Sequence, residues 1–351
     1  MPEPGEGRQL ALVGDLHKLA SLTELPVGAV EAASALGVAV GEVLDAGRSL
    51  TEDGTLREEG SGWVAVEAAE LSGPERAVLA GQLAAAVDAS DPGRKGRLLA
   101  MAGSTAEALP LLIEAGSSGD PKAAEAALEI GPEDPTEAGR LHLALAGHHR
   151  SRGETPVAID HARRSLPLLE GVATIDALGV IAQLHDDLQE PQAAATWANL
   201  AAGAALNNYD EAKAGSLLTF AGRAMSRLGF AEEAANASDT GLAMVEAHGT
   251  PAQKARARDN RAWVHLDHGN AEQAAIAFDS ISDLTEYIAG DAGEASRLAN
   301  AARALFQAGQ SSKAMGYYEE SIRLAGDAPA PNFLAHLGFA EGATLHSMGE
   351  S

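Results

Sequence analysis

Eleven histidines and fifty carboxylates, with no cysteine, define the chemistry open to this 351-residue chain. Without thiols it has neither disulfides nor thiolate nucleophiles. Metal ligation would fall to His, Asp and Glu. Two groupings have spacings that place side chains near one another on a helix: His142 with His148 and His149, and His265-Leu266-Asp267-His268. Both read as half-buried packing or surface histidines. Acyl-transfer chemistry would need a G-x-S-x-G elbow or a Ser set beside a His and an acid, and the chain has neither pattern. Phosphate chemistry would need G-x-x-x-x-G-K-[ST]; Gly93-Arg94-Lys95-Gly96 has a different spacing and follows no strand pattern. The acidic pairs Asp186-Asp187 and Glu232-Glu233 point in adjacent directions on helices and read as solvated faces. These readings predict a protein that is not an enzyme and takes no cofactor and no metal.

The elements that carry these residues are helical. Hydrophobic residues make up 46% of the chain and aromatics only 4%, with Ala dominant, which suits closely crossing helices and does not suit a β-sandwich. A pattern of a small residue, a glycine-type turn and two further small residues recurs at spacings of 7, 5 and 4. It reads Ala146, Gly153, Ala158, Ala162; then Ala182, Gln189, Ala194, Ala198; then Gly222, Gly229, Ala234, Ser238. It continues as Ala262, Gly269, Ala274, Phe278 and Ala302, Gly309, Ala314, Tyr318. A weaker unit, Leu112, Gly119, Ala124, Leu128, precedes these, and another begins at Gly342 and Gly349. The turn positions step by 34, 36, 40, 40, 40 and 40 residues. Each unit therefore reads as two helices joined at a residue in the left-handed conformation, which glycine adopts at least cost.

The array over roughly 104–349 resembles the tetratricopeptide repeat, whose period is about 34 with small residues where helices cross. The resemblance implies that the first helix of each unit lines a concave side, with inward positions 13, 10, 9 and 6 before the turn. Those positions are Arg256, Asp259, Asn260 and Trp263; Ser296, Ala299, Asn300 and Arg303; and Ser216, Thr219, Phe220 and Arg223. The candidate ligand groove is thus Arg223, Arg256, Asn260, Trp263, Asn300 and Arg303. Asn260 and Asn300 hold equivalent sites, where the resemblance implies that an amide holds a peptide backbone. The first helices also concentrate base, with Lys213, Arg227, Lys254, Arg258, Arg261 and Arg297 beside the groove arginines. An alternative reading pairs these cations with neighbouring acids on a solvated face.

The first hundred residues have another rhythm. Gln9–Ala20, Val27–Leu36 and Ala39–Leu50 read as helices, and residues 56–66 read as a hairpin with a glycine turn. This pattern predicts a winged-helix-like domain over 1–72, with strand confined to about 55–66. Over 1–72 the chain carries four basic residues (Arg8, Lys18, Arg48, Arg57) and thirteen acidic ones, which argues against reading DNA. Net charge is −25, so the whole chain is repelled by phosphate backbones. A winged helix, a helical connector over 73–103 and repeats over 104–351 are similar to the middle of large LuxR-type regulators of the signal-transduction ATPase class (STAND). There the arm receives the signal and the winged helix relays it. The match carries no ATPase, because the phosphate loop is missing.

Together these readings predict an all-α chain, a tetratricopeptide-like right-handed α-solenoid with a small N-terminal winged-helix-like domain. It would be a cytoplasmic, protein- or peptide-binding arm of a transcriptional regulator or signalling ATPase, with a protein or peptide in the groove. An ATPase domain of the same parent would be a further partner, and neither nucleic acid nor membrane would be contacted directly. A free-standing peptide-sensing DNA-binding regulator and a plain assembly scaffold stand as alternatives. The start, Met1-Pro-Glu-Pro-Gly-Glu-Gly, reads as an acidic linker rather than a signal peptide. Ala335–Met348 reads as a first helix whose partner after Gly349 is missing, so a longer parent is expected.

Overall fold

Where a helix is to stop and a second is to fold back on it, one residue must turn left-handed. In a computed structural model describing residues 4–287 and 290–325, every turn position in that range does so. Gly119, Gly153, Gly229, Gly269 and Gly309 have φ between 75° and 107°, and Gln189, in the same role, has φ 60°. After the turn, a backbone N–H closes onto a carbonyl five residues back, as in Glu190 to His185 (2.9 Å), Asn270 to His265 (2.8 Å) and Gln310 to Leu305 (2.9 Å). The next helix starts from a cap: Asp120 accepts from Ala123 N–H, Asp210 from Lys213 N–H and Thr250 from Gln253 N–H, with Pro121 and Pro251 in the first helical turn.

The chain forms two compact units, Met1–Arg152 and Gly153–Ser351. In the first, α1 (Pro4–Ala20), β1 (Val27–Gly28), α2 (Ala29–Leu36), α3 (Val40–Glu52), β2 (Leu56–Glu59) and β3 (Gly62–Ala65) make three helices and an antiparallel sheet of order β1-β3-β2. Then follow α4 (Gly73–Ala86), α5 (Pro92–Met101), α6 (Thr105–Ser117), α7 (Pro121–Ile130) and α8 (Pro135–Ser151). Trp63 of β3 packs over Gly47, where a Cβ would overlap the indole, so α3 carries glycine in its middle. The core beneath it runs from Leu16 through Val43, Leu50 and Leu83 to Leu98, so α4 shares it with the first three helices.

Two sequence expectations are corrected here. Strand is not confined to the hairpin, and the second helix starts at Ala29 rather than Val27. Val27 and Gly28 instead pair with Trp63 and Gly62. Gly62 permits this, since a Cβ there would lie 2.7 Å from the Val27 carbonyl oxygen. Gly28 N–H then donates to the Glu31 carboxylate at 3.2 Å, a cap that starts α2 one residue later.

The second unit contains α9 (Thr155–Ser165), α10 (Val172–Asp187), α11 (Pro191–Asn207), α12 (Glu211–Ser226), α13 (Ala231–His248), α14 (Pro251–Asp267), α15 (Ala271–Asp279), α16 (Gly290–Gln307) and α17 (Ser311–Ala325). Its core is built from alanines at the crossings, such as Ala182, Ala198 and Ala221, and from Ala262, Ala274, Phe278, Ala302, Ala314 and Tyr318. The small-residue positions of the repeat are therefore the contact positions. Helices α12 and α13 approach backbone to backbone: a Cβ on Gly215 would lie 2.6 Å from the Gly241 oxygen, and one on Gly241 would lie 2.5 Å from the Gly215 oxygen. The fold class is all-α with tetratricopeptide-like helix pairs. Among the described residues, no helix is long and apolar enough to cross a membrane. The expected helix Ala335–Met348, its turn at Gly349 and the position Gly342 lie outside the described residues.

This packing makes opposite predictions for two glycines. Gly241→Ala should destabilise the chain by about 2 kcal/mol, because overpacking outweighs the gain in helix propensity. Gly316→Ala, where a Cβ meets nothing within 4 Å, should stabilise it by about 0.5–1 kcal/mol. Denaturant midpoints of the two variants check this.

Candidate ligand-binding face

Helices α12, α14 and α16 are the first helices of three successive units, and of the predicted groove residues they bring Arg223, Trp263 and Arg303 together. Trp263 sits at the centre. The Arg223 guanidinium lies 5.3 Å from the indole centroid and that of Arg303 lies 5.5 Å away, one from the helix on each side. The ring's edge packs on Phe278 of α15 at 5.7 Å and 84°. The indole is thus held in orientation and two cations are held over it. Asn260 donates its amide to Thr219 Oγ at 3.4 Å, tying α14 to α12. Arg256 is exposed two turns before Trp263, and Asn300 is half-buried one turn before Arg303.

The charges around this cluster separate into two groups. Lys213 pairs with Asp176 at 2.8 Å, Arg227 with Asp186, and Arg258 with Glu246 at 2.7 Å. Arg261 pairs with Asp239 at 2.7 Å, and Arg297 with Glu294 at 2.6 Å. Arg223, Lys254, Arg256 and Arg303 have no carboxylate within 4.0 Å among the described residues. Pairing with neighbouring acids therefore accounts for Lys213, Arg227, Arg258 and Arg261 at the surface and for the buried Arg297, and leaves Lys254 and the three groove arginines outside it.

Two neighbours of the cluster were visible as repeat positions in the sequence but were given no role there. Asp259, one turn before Trp263, has its carboxyl pushed above the usual range by burial, against the opposing pull of the Arg223 charge and a hydrogen bond from the Trp263 indole. Tyr318 of α17 is buried and its hydroxyl has no hydrogen-bond partner among the described residues. Burial pushes that phenol up to about 12, the Arg303 charge acting the other way. The available signal was the repeat position itself, which reads Ala162, Ala198, Ser238, Phe278 and Tyr318 and so widens along the array.

Other chemical groupings resolve differently. Ser226 Oγ donates to Asp267 at 2.9 Å and lies 3.2 Å from His268 Nε2. A nucleophilic serine needs the acid on the histidine's far nitrogen, whereas here both groups converge on the hydroxyl. Burial pushes His265 below its ordinary value, with the Arg261 charge adding to it. His148 and His149 stack edge to face at 5.6 Å. Among the described residues no three His, Asp or Glu side chains are grouped to hold a metal ion. In the first unit a cleft of about 1050 Å³ opens between residues 22–25 and helices α5 and α7. Its cations are paired internally, Arg97 with Asp120 at 2.6 Å and Lys122 with Glu24.

Asp259 gives this face a pH signature. A raised folded-state pKa means that the ionised carboxylate costs stability above that value, and that the cost is relieved as pH falls through it. Asp259→Asn should therefore be more stable than the parent at neutral pH, and the gap should close as the solution is acidified into the carboxylate range. Thermal melts of both proteins across that range check it.

The sequence matches no protein-family model and no curated protein. Solved structures show the fold. BtubC (BKLC) from P. vanneervenii is 18% identical, with a TM-score of 0.50 over 64% of this chain and 94% of that one. A signal-transduction ATPase with a tetratricopeptide repeat sensor, from Pyrococcus horikoshii, is 14% identical with a TM-score of 0.47, over 95% of this chain and 52% of that one. A Rap protein complexed with competence and sporulation factor is 11% identical with a TM-score of 0.49, over 97% and 88%. The likeness to BtubC, at a TM-score of 0.50 and 18% identity, speaks to the fold alone.

Proposed function

We propose that this chain is a cytoplasmic protein- or peptide-binding module, the signal-sensing arm of a transcriptional regulator or signalling ATPase. Repeats of this type generally serve as protein-interaction surfaces. The observation that carries the reading is the pair Arg223 and Arg303 over Trp263 which, like Arg256 on the same row of helices, have no carboxylate within 4.0 Å among the described residues, in a chain of net charge −25. An acidic, extended segment fits this face. Its carboxylates would meet the arginines, whose planar guanidinium suits bidentate contact, while Asn260 and Asn300 hold backbone.

The same proposal divides the chain into a winged-helix-like head over 1–72, a helical connector over 73–103 and repeats over 104–351. The head is given a protein-contacting role. On its third helix Arg48 is paired with Asp45 at 3.3 Å, and in its hairpin Arg57 is paired with Glu59. Paired cations on an acidic surface make a poor phosphate footprint.

Two measurements test this. In a screen of acidic and basic peptides, acidic ones should bind preferentially, and Arg223→Ala, half-buried against Trp263, should cost roughly 2–5 kcal/mol. Arg256→Ala, on the rim, should mainly slow association, with Asn260→Ala and Arg303→Ala in between. A preference for basic peptides, or silence of all four variants, moves the binding surface elsewhere. The chain is also expected neither to bind duplex DNA at physiological salt nor to hydrolyse ATP. Salt-sensitive DNA binding that is lost in Arg48→Ala or Arg57→Ala would favour the DNA-binding regulator instead.

A further inference from the structure

Helix α11, with sequence PQAAATWANLAAGAALN, carries no Asp, Glu, Lys or Arg. Every other described α-helix carries at least one. Its exposed positions include Thr196, Asn199, Leu200, Gly203 and Leu206, with Leu200 54% and Leu206 42% exposed. At helical spacing these span an arc of about 120° with Gly203 in the middle.

Two features of this face are not explained by the fold of one chain. Gly203 lies inside the helix, where glycine is destabilising relative to alanine, and a Cβ there would meet nothing within 4 Å, a property it shares with Gly147 and Gly316 but which here falls at the centre of an uncharged face. Tyr209, just past the helix end, is 94% exposed and left-handed at φ 59°. For a bulky aromatic that conformation is strained, and the comparable turns at Gly229, Gly269 and Gly309 use glycine. Gln189, the other non-glycine in this conformation, is accounted for by its hydrogen bond from Arg227 at 2.7 Å. Among the described residues the Tyr209 side chain has no such tie.

We propose that the α11 face is a self-association surface, occupied by α11 of a second copy of this chain. The charge pattern selects this occupant. Two copies of net charge −25 repel one another, and a two-fold axis sets the same patch of each copy against itself. A face bearing carboxylates would therefore oppose like charges, and α11 is the helix that avoids this along its whole length. A dissimilar partner would have no need of neutrality and could complement charge. Antiparallel crossing at Gly203 places the two glycines together, where small residues allow the axes to approach closely. It sets Leu200 of each copy against Leu206 of the other, and carries Tyr209 over the region of Thr196 and Trp197. One helix face is smaller than the roughly 800 Å² per partner of a stable complex, so the dimer is weak and depends on concentration.

Sedimentation velocity on the full chain, from low to several hundred micromolar and at low and high salt, tests the proposal. A monomer–dimer equilibrium is expected, shifted towards dimer by salt as the net repulsion is screened. Leu206→Glu should weaken it at least about tenfold, because it buries a carboxylate at an apolar contact. Gly203→Ala should raise the melting temperature of the monomer and still weaken the dimer, a combination that loss of folding could not produce. Ile276→Glu, at an exposed apolar position on α15, should leave association unchanged. Monomer at every concentration, a dimer indifferent to Leu206→Glu, or equal sensitivity to Ile276→Glu overturns the assignment. So does a dimer that salt dissolves, and so does a different protein bound on α11 without self-association.

Discussion

Backbone-to-backbone approach between helices is the constraint on which the second unit depends. Helix axes come this close only where side chains nearly vanish, and the chain meets the requirement with alanine at most crossings and glycine at the tightest, Gly215 against Gly241. Alanine gains little from burial per residue, about one methyl group, so stability must come from many such contacts repeated in register. That register is kept by the left-handed turns. A turn one residue longer or shorter would rotate the second helix by about 100° and move its alanines off the contact. The 40-residue step of the later units and the small residues at the crossings are therefore one requirement seen twice.

A core this poor in large side chains leaves the polar groups to do more of the positioning. Arg297 shows how: it is buried, bonds Glu294 and also reaches the Phe278 carbonyl at 3.3 Å, so one cation joins α16 to the end of α15. Arg258 similarly joins Glu246 of α13 to the Ser280 carbonyl. Cations used in this way are structural. They make the contrast with Arg223 and Arg303 informative, since the same helices that pair their other cations leave these two against an aromatic ring. A cation over an indole face is attracted without being neutralised, so it keeps its charge available to an anion.

How much of this was legible in the sequence follows from which interactions are local. The turns were readable because a left-handed residue leaves a mark at one position, and even Gln189 fell in phase with its glycine neighbours. The Arg223–Trp263–Arg303 arrangement was readable as a set of equivalent offsets, because repeats of equal length put equivalent residues side by side. The strand at Val27–Gly28 was not, since two residues carry no periodicity and the pairing depends on Gly62, far along the chain. Asp259 was seen as an inward position, but its raised carboxyl depends on burial contributed by neighbouring helices. Tyr318 lay in plain view as a repeat position, and only packing shows its hydroxyl to be without a partner.

The site's construction from three units has a mechanical consequence. In a repeat array each unit contacts its neighbours alone, so the angle between successive units is set locally, at every crossing. The distances from Arg223 and Arg303 to Trp263 each span one such crossing and therefore report two successive angles. A ligand bridging the two arginines would couple those angles and favour one curvature of this segment over others. It could do so only by the difference in its affinity for the two curvatures. The alanine and glycine crossings favour such a response, because contacts without long interlocking side chains resist small rotations least. Recognition and shape change would then be properties of the same crossings, with the arginine-flanked indole as the point where they meet.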